Sequence, residues 1–199
     1  VLVGSASATW SGQFSPQYDS DIRGAVAQFW GEGPDWTWWK AQLYQESGLD
    51  PQAVSAVGAR GLAQFMPATW ADVTRDLHWG NVSPHSPRHA IYGGAYYMRR
   101  LQLSWSSKRS VLERQKVAQA SYNAGTGNII KAQDACHGTL LWEQIAPCLG
   151  AITGPDNARQ TIDYVTRIAG WQAQMRAAIP VAILIDPAAL THRGYASRP

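Results

Sequence analysis

The chain has 199 residues, 45% of them hydrophobic, a formal charge of +3 and two cysteines. That length suits one domain, with or without arms, and can enclose a sizeable core. No run of about 18 apolar residues occurs, so no membrane span is expected within it. The isoelectric point near 9.0 fits a nucleic acid, an anionic cell envelope or neither, but no dense Lys/Arg block accompanies it, which argues against nucleic acid.

In chain order, residues 1–18 read as an N-terminal arm. Its Val1-Leu2-Val3 start is either the remnant of an export segment or an arbitrary boundary. A folded domain is expected over 19–180. Ile22, Val26 and Phe29 mark one face of a first helix, and Trp36, Trp39 and Leu43 that of a second. Trp36, Trp38 and Trp39 cannot all face one core, so at least one is expected to be exposed or to line a cleft. From Asp50 to Gln64 the period breaks at Pro51, Gly58 and Gly61, predicting a turn-rich excursion or small hairpin.

A third helix is expected from Pro67, where the missing proline N–H costs little. Residues 81–87 read as irregular. Ile91, Ala95, Met98 and Leu101 stripe a fourth helix, and Val111 to Ala124 forms a fifth, stopped by Gly125. Residues 134–157 read as irregular and hold Cys136 and Cys148. Their even number and spacing suit a loop-closing disulfide in an oxidising compartment, with two buried thiols as the alternative. Neither sits in a metal-ligand pattern, so no metal is expected. Ile162, Val165, Ile168 and Met175 stripe a sixth helix, and 181–199 reads as a tail ending in a mobile arm. The fold class is therefore mainly α.

Glu46 is the one carboxylate placed for acid/base work. On the second helix it lies only about 20° around the axis from Trp39 and about 60° from Leu43. A carboxylate on an apolar face is costly unless it is paired, neutral or useful. Desolvation would raise its pKa toward the range a general acid needs. The competing reading is a helix-end glutamate that is solvated or paired with Arg60. Ser55 and Gln64 follow at nine-residue intervals, between glycines that permit close backbone approach.

The run Glu46-Ser47, Pro51, Ala53, Ser55, Gly58-Ala59, Gly61-Leu62, Gln64, Met66-Pro67 and Thr69 resembles the first motif of the soluble lytic transglycosylases of the goose-lysozyme superfamily. Ala120-Ser121-Tyr122-Asn123-Ala124-Gly125, followed by Gly127, resembles their second motif. The resemblance implies an α+β, lysozyme-like fold whose helical domain carries its excursion after the catalytic helix. It implies that Glu46 is the acid/base. Ser55, Gln64 and Met66 would contact the N-acetylmuramyl unit. Tyr122 and Asn123 would close the opposite wall, with the Tyr122 hydroxyl near the carboxylate. The third motif departs: Tyr164 and Val165 fit, but Gln160 and Ile162 stand where the family has Glu and Arg, with Arg159 and Asp163 beside them. Gln160 and Tyr164 are taken as substrate-binding positions.

The implied reaction cuts the MurNAc-β-1,4-GlcNAc bond of peptidoglycan without water and leaves 1,6-anhydro-MurNAc, with no cofactor. A monomer in the periplasm, outside the cell or in its envelope is expected, and a phage lysin (endolysin), a wall-piercing device and a remodelling enzyme all fit. The competing readings are a hydrolytic muramidase and a non-catalytic glycan-binding module.

Overall fold

The computed structural model describes residues 13–31 and 33–179, and among them the chain is helical. The helices are α1 Asp19–Trp30, α2 Thr37–Ser47, α3 Pro67–Asp76, α4 Pro87–Ser104, α5 Val111–Ala124, α6 Thr126–Ala135, α7 Trp142–Ile145, α8 Leu149–Thr153 and α9 Pro155–Ala178, with a 3-10 turn at Ala146–Cys148. The tail at 181–199 and the start of the arm lie outside the described residues. Residues 13–18 already belong to the packed body, because Phe14 stacks edge-on against Tyr44 and Trp171 at 5.0 and 6.1 Å. The folded part therefore reaches back past position 19.

Local signals set the ends. Pro67, Pro87 and Pro155 each open a helix from its first turn. Ser110 caps α5 by accepting the Glu113 N–H at 3.1 Å. Gly48 ends α2 in a left-handed conformation, its N–H on the Tyr44 carbonyl at 2.8 Å.

α2 packs chiefly on α9 and α1 on α4. Between them lies one core built on Ile22, Trp39, Leu43, Leu62, Ile91, Met98 and Ile168. Buried indoles bring a donor that must be satisfied. Trp30 gives its N–H to the Ala95 carbonyl at 2.9 Å, Trp39 to Ile91 at 3.1 Å and Trp70 to Val82 at 2.8 Å. Trp36 and Trp38 stay half-buried while Trp39 is enclosed, as their positions on one helix require.

The excursion after α2 is turn-rich and holds only isolated antiparallel bridges, Val54 with Arg60 and Arg60 with Phe65. The stretch read as irregular, 134–157, is instead the end of α6 followed by α7, the 3-10 turn and α8. Segments of three to five residues are too short to show a helical period, and their stability comes from packing. Ile145 and Leu149 bury completely there, and Cys136 and Cys148 are joined as a disulfide.

α4 approaches α2 at Gly94, where an added Cβ would stand 2.4 Å from the Trp39 ring. Gly94→Ala should therefore lower stability by roughly 1–3 kcal/mol, read as a lower urea midpoint at unchanged m-value.

Candidate active site

Glu46 occupies the last turn of α2 and faces α9, where the Tyr164 hydroxyl donates to its Oε1 at 2.5 Å. The partner is thus Tyr164 and not Arg60. Burial, opposed only in part by the Tyr164 bond, raises the Glu46 pKa to about 7. The negative end of the α2 dipole works in the same direction. At neutral pH the group is therefore divided between carboxylic acid and carboxylate. The same burial, with Glu46 close by, holds the Tyr164 and Tyr122 hydroxyls well above their usual range, so both are donors.

The backbone beyond Glu46 is fixed by the motif side chains. Ser47 Oγ donates to the Leu62 carbonyl at 2.9 Å, closing the excursion onto its own helix. Tyr122 donates to the Ala63 carbonyl at 2.7 Å from α5. The hydroxyl on Glu46 is accordingly that of Tyr164, while that of Tyr122 holds the excursion. Gln64, itself at φ 47°, gives its amide N–H groups to Gly61 at 2.9 Å and Ala53 at 3.2 Å. Ser55 Oγ accepts the Ala59 N–H at 3.0 Å. Ser55 and Gln64 thus build the loop, and Met66 stands exposed where α3 begins. Gly61 is required here, since a Cβ would lie 2.0 Å from the Pro84 carbonyl oxygen.

A polar groove runs along α9 beside Glu46. One stretch, about 430 Å³, is lined by Gln45, Asn123, Arg159, Gln160, Asp163, Tyr164 and Arg167 among others. The next, about 340 Å³, shares Asn123 and Gln160 and adds Asn128, Thr153 and Asn157. Glu46 is not on either wall and reaches the groove through Tyr164 and its neighbour Gln45. Asn123 is fixed by the Thr161 hydroxyl at 2.8 Å. Ile162 turns away from this groove, toward Trp142 and Pro147 on the opposite side of α9. Sequence reasoning missed Arg167, Asn128 and Asn157. Arg159, Asp163 and Arg167 recur every fourth residue, a stripe that the apolar period of α9 overshadowed. Among the described residues no group of His, Cys, Asp and Glu could hold a metal.

The transglycosylase SLT domain family matches residues 30–143, more than half the chain. The chain is 28% identical over 157 residues to a membrane-bound lytic murein transglycosylase F of Maricaulis maris, covering 72% of this chain and 33% of that protein. It spans a third or less of the curated relatives it matches first. Its fold matches the 70-kDa soluble lytic transglycosylase of Escherichia coli with a TM-score of 0.65 at 20% identity, over 82% of this chain and 25% of that one. An inactive mutant of the lytic transglycosylase Slt of Pseudomonas aeruginosa matches with a TM-score of 0.64 at 24% identity, over 84% and 25%.

A carboxyl whose folded pKa lies above its unfolded value costs stability once both states are ionised. The native state binds the extra proton between pH 4.5 and about 7, so stability falls as pH rises through that window. Glu46→Gln should match the wild type below that window and exceed it above pH 7 by up to about 3 kcal/mol, measured by denaturant unfolding across pH. Tyr164→Phe, which removes the donor to the carboxylate, should raise the Glu46 pKa further, read by carboxyl 13C NMR.

Proposed function

The chain belongs to the transglycosylase SLT domain family, and we propose that it is a lytic transglycosylase that cleaves the MurNAc-β-1,4-GlcNAc bond of peptidoglycan with one carboxyl group, that of Glu46. The observation that carries this reading is the Glu46 carboxyl, its pKa raised to about 7, bonded to the hydroxyl of Tyr164, a residue that lines the groove. A group balanced between its two forms can give a proton and take one back in a single cycle.

Glu46 gives its proton to the glycosidic oxygen as the C1–O bond breaks, and the N-acetyl carbonyl of the muramyl unit shares the positive charge left on C1. The carboxylate formed is held by the Tyr164 hydroxyl. It then takes the proton of the C6 hydroxyl as that oxygen closes on C1, giving the 1,6-anhydro ring. Glu46 ends protonated, as it began, and no water enters. A glycosidase working through a conventional pair needs a second carboxylate as nucleophile or base. Here the causes acting on Glu46 are burial and Tyr164, with no second carboxylate among them.

Asn123, Asn128 and Asn157 supply amides suited to N-acetylated sugars along the groove. Gln160 stands where the family has an acidic residue, and among the described residues of this wall Arg159 and Arg167 have Asp156 and Asp163 as acidic neighbours, Asp156 pairing with Arg159 at 3.7 Å. The setting that fits is the cell envelope. Among the described residues no helix is long and apolar enough to cross a membrane.

Digestion of purified peptidoglycan by the wild type should release muropeptides ending in 1,6-anhydro-MurNAc, with Glu46→Gln slower by at least about 10²-fold. Mass spectrometry decides the chemistry: products heavier by one water would mean hydrolysis. The rate should also fall as pH rises above about 7, where the proton donor is lost.

A further inference from the structure

A second cavity, about 430 Å³, opens between the start of α2, the end of α4 and the start of α5. It shares no lining residue with the groove along α9. Trp38, which lines it, is eight residues before Glu46, about 12 Å along the helix axis. Its polar wall carries Arg99, Arg109, Arg114, Gln102, Gln115 and one carboxylate, Asp35, and its apolar wall includes Trp30 and Trp38.

The hydrogen bonds on the polar wall run in one direction. Arg99 is a donor only and gives an N–H to Gln102 Oε1 at 3.3 Å. That fixes the Gln102 amide, whose Nε2 donates to Gln115 Oε1 at 2.7 Å. The Gln115 amide is fixed in turn, and its Nε2 is left without a partner although the residue is only 6% exposed. Both Nη atoms of Arg109 and Nε of Arg114 are also buried and unpartnered. Arg109 gives its Nε–H to the Leu140 carbonyl at 3.1 Å and lays its guanidinium over the Trp105 ring, 4.9 Å from the centroid, which leaves both Nη atoms without an acceptor.

Four buried donors thus converge with no acceptor among the described residues. The carboxylate on the wall, Asp35, and that of Glu113, which acts on Arg109, are both committed. Glu113 takes Lys116 at 3.0 Å and the Trp142 N–H at 2.6 Å. Asp35 takes Thr37, Gln172 and Arg176. Buried donors without acceptors are costly. Two free Nη atoms form a fork that matches the two oxygens of a carboxylate, and the indole wall beside it suits a short apolar carrier.

We propose that this cavity is a binding site for a carboxylate borne on a small apolar group. The site stands independently of the glycan reading, and its ligand supplies the acceptor that the wall lacks.

The test titrates the whole chain with hexanoate, hexanamide and inorganic phosphate, by calorimetry and by 1H–15N NMR of the Arg109 Nε–H and Trp38 indole signals. Hexanoate should bind saturably and shift both signals, and hexanamide should bind at least about tenfold more weakly. Gln115→Glu places a carboxylate inside the site. It should raise the melting temperature and weaken hexanoate at least about tenfold while leaving muropeptide release unchanged. Arg109→Lys keeps the charge, removes the fork, and should weaken hexanoate similarly in a folded protein. The assignment is overturned if hexanoate gives no saturable shift, if hexanamide binds equally, or if phosphate is preferred.

Discussion

The site depends on holding one carboxyl group half-buried at the end of a helix. Glu46 is disfavoured as an anion by burial and by the α2 dipole, and is rescued in part by a single hydroxyl from α9. That contact joins residues 118 positions apart, so the pKa exists only when α2 and α9 are docked. The packing of these two helices therefore has a chemical as well as a structural result. Loosening the contact would let water in and return the group toward an ordinary glutamate.

The same economy governs the excursion. Three side chains that could be taken for ligand contacts are spent on backbone. Ser47 holds Leu62, Tyr122 holds Ala63, and Gln64 holds Ala53 and Gly61. Without a strand ladder, the loop's carbonyls are satisfied by scattered turn bonds, such as Gly61 N–H to Ala53 and Gln64 N–H to Gly61, to which these side chains add. The motif is dense because it encodes a shape: glycine where Pro84 comes close, and polar side chains where a backbone group needs a partner. Whatever the loop presents to a ligand, the Ser55 hydroxyl and the exposed Met66 included, is positioned by those bonds.

Much of this was legible in the sequence, for physical reasons. Proline at a first turn and glycine at a stop are local signals: they mark the start of α3 at Pro67 and the end of α5 at Gly125, while the start of α9 at Pro155 lies in the stretch that reads as irregular. Glu46 stood out because a charge interrupts an apolar face. Its partner could not be read, since nothing local ties position 46 to 164, and the motif pointed to the Tyr122 hydroxyl first. The helices between 134 and 157 were illegible because one-turn segments carry no period and owe their form to Ile145, Leu149 and a cross-link. The start of the folded body was misread because Phe14 gains its meaning only from Tyr44 and Trp171, far along the chain.

α2 and α5 also depart from the simple rule of an apolar inner stripe, and they do so together. α2 carries Gln42 one turn before Glu46, and α5 carries Gln115 and Gln119 before Asn123. All three glutamines are buried, with at least one amide atom unpartnered among the described residues. Each such atom costs roughly 1–3 kcal/mol against an apolar neighbour of the same shape. Helices selected for stability alone would place leucine there. On α5 the polar positions instead run from Gln115 in the arginine cavity to Asn123 in the groove along α9, and the two sites differ in character. At Glu46 a carboxyl group meets one tyrosine donor; at the cavity four buried donors stand unpartnered among the described residues, beside an Asp35 bonded elsewhere. Places where local pattern fails in a coherent direction are where function is expected to be stored, and here one failure leads to Glu46 and the other to the arginine cavity.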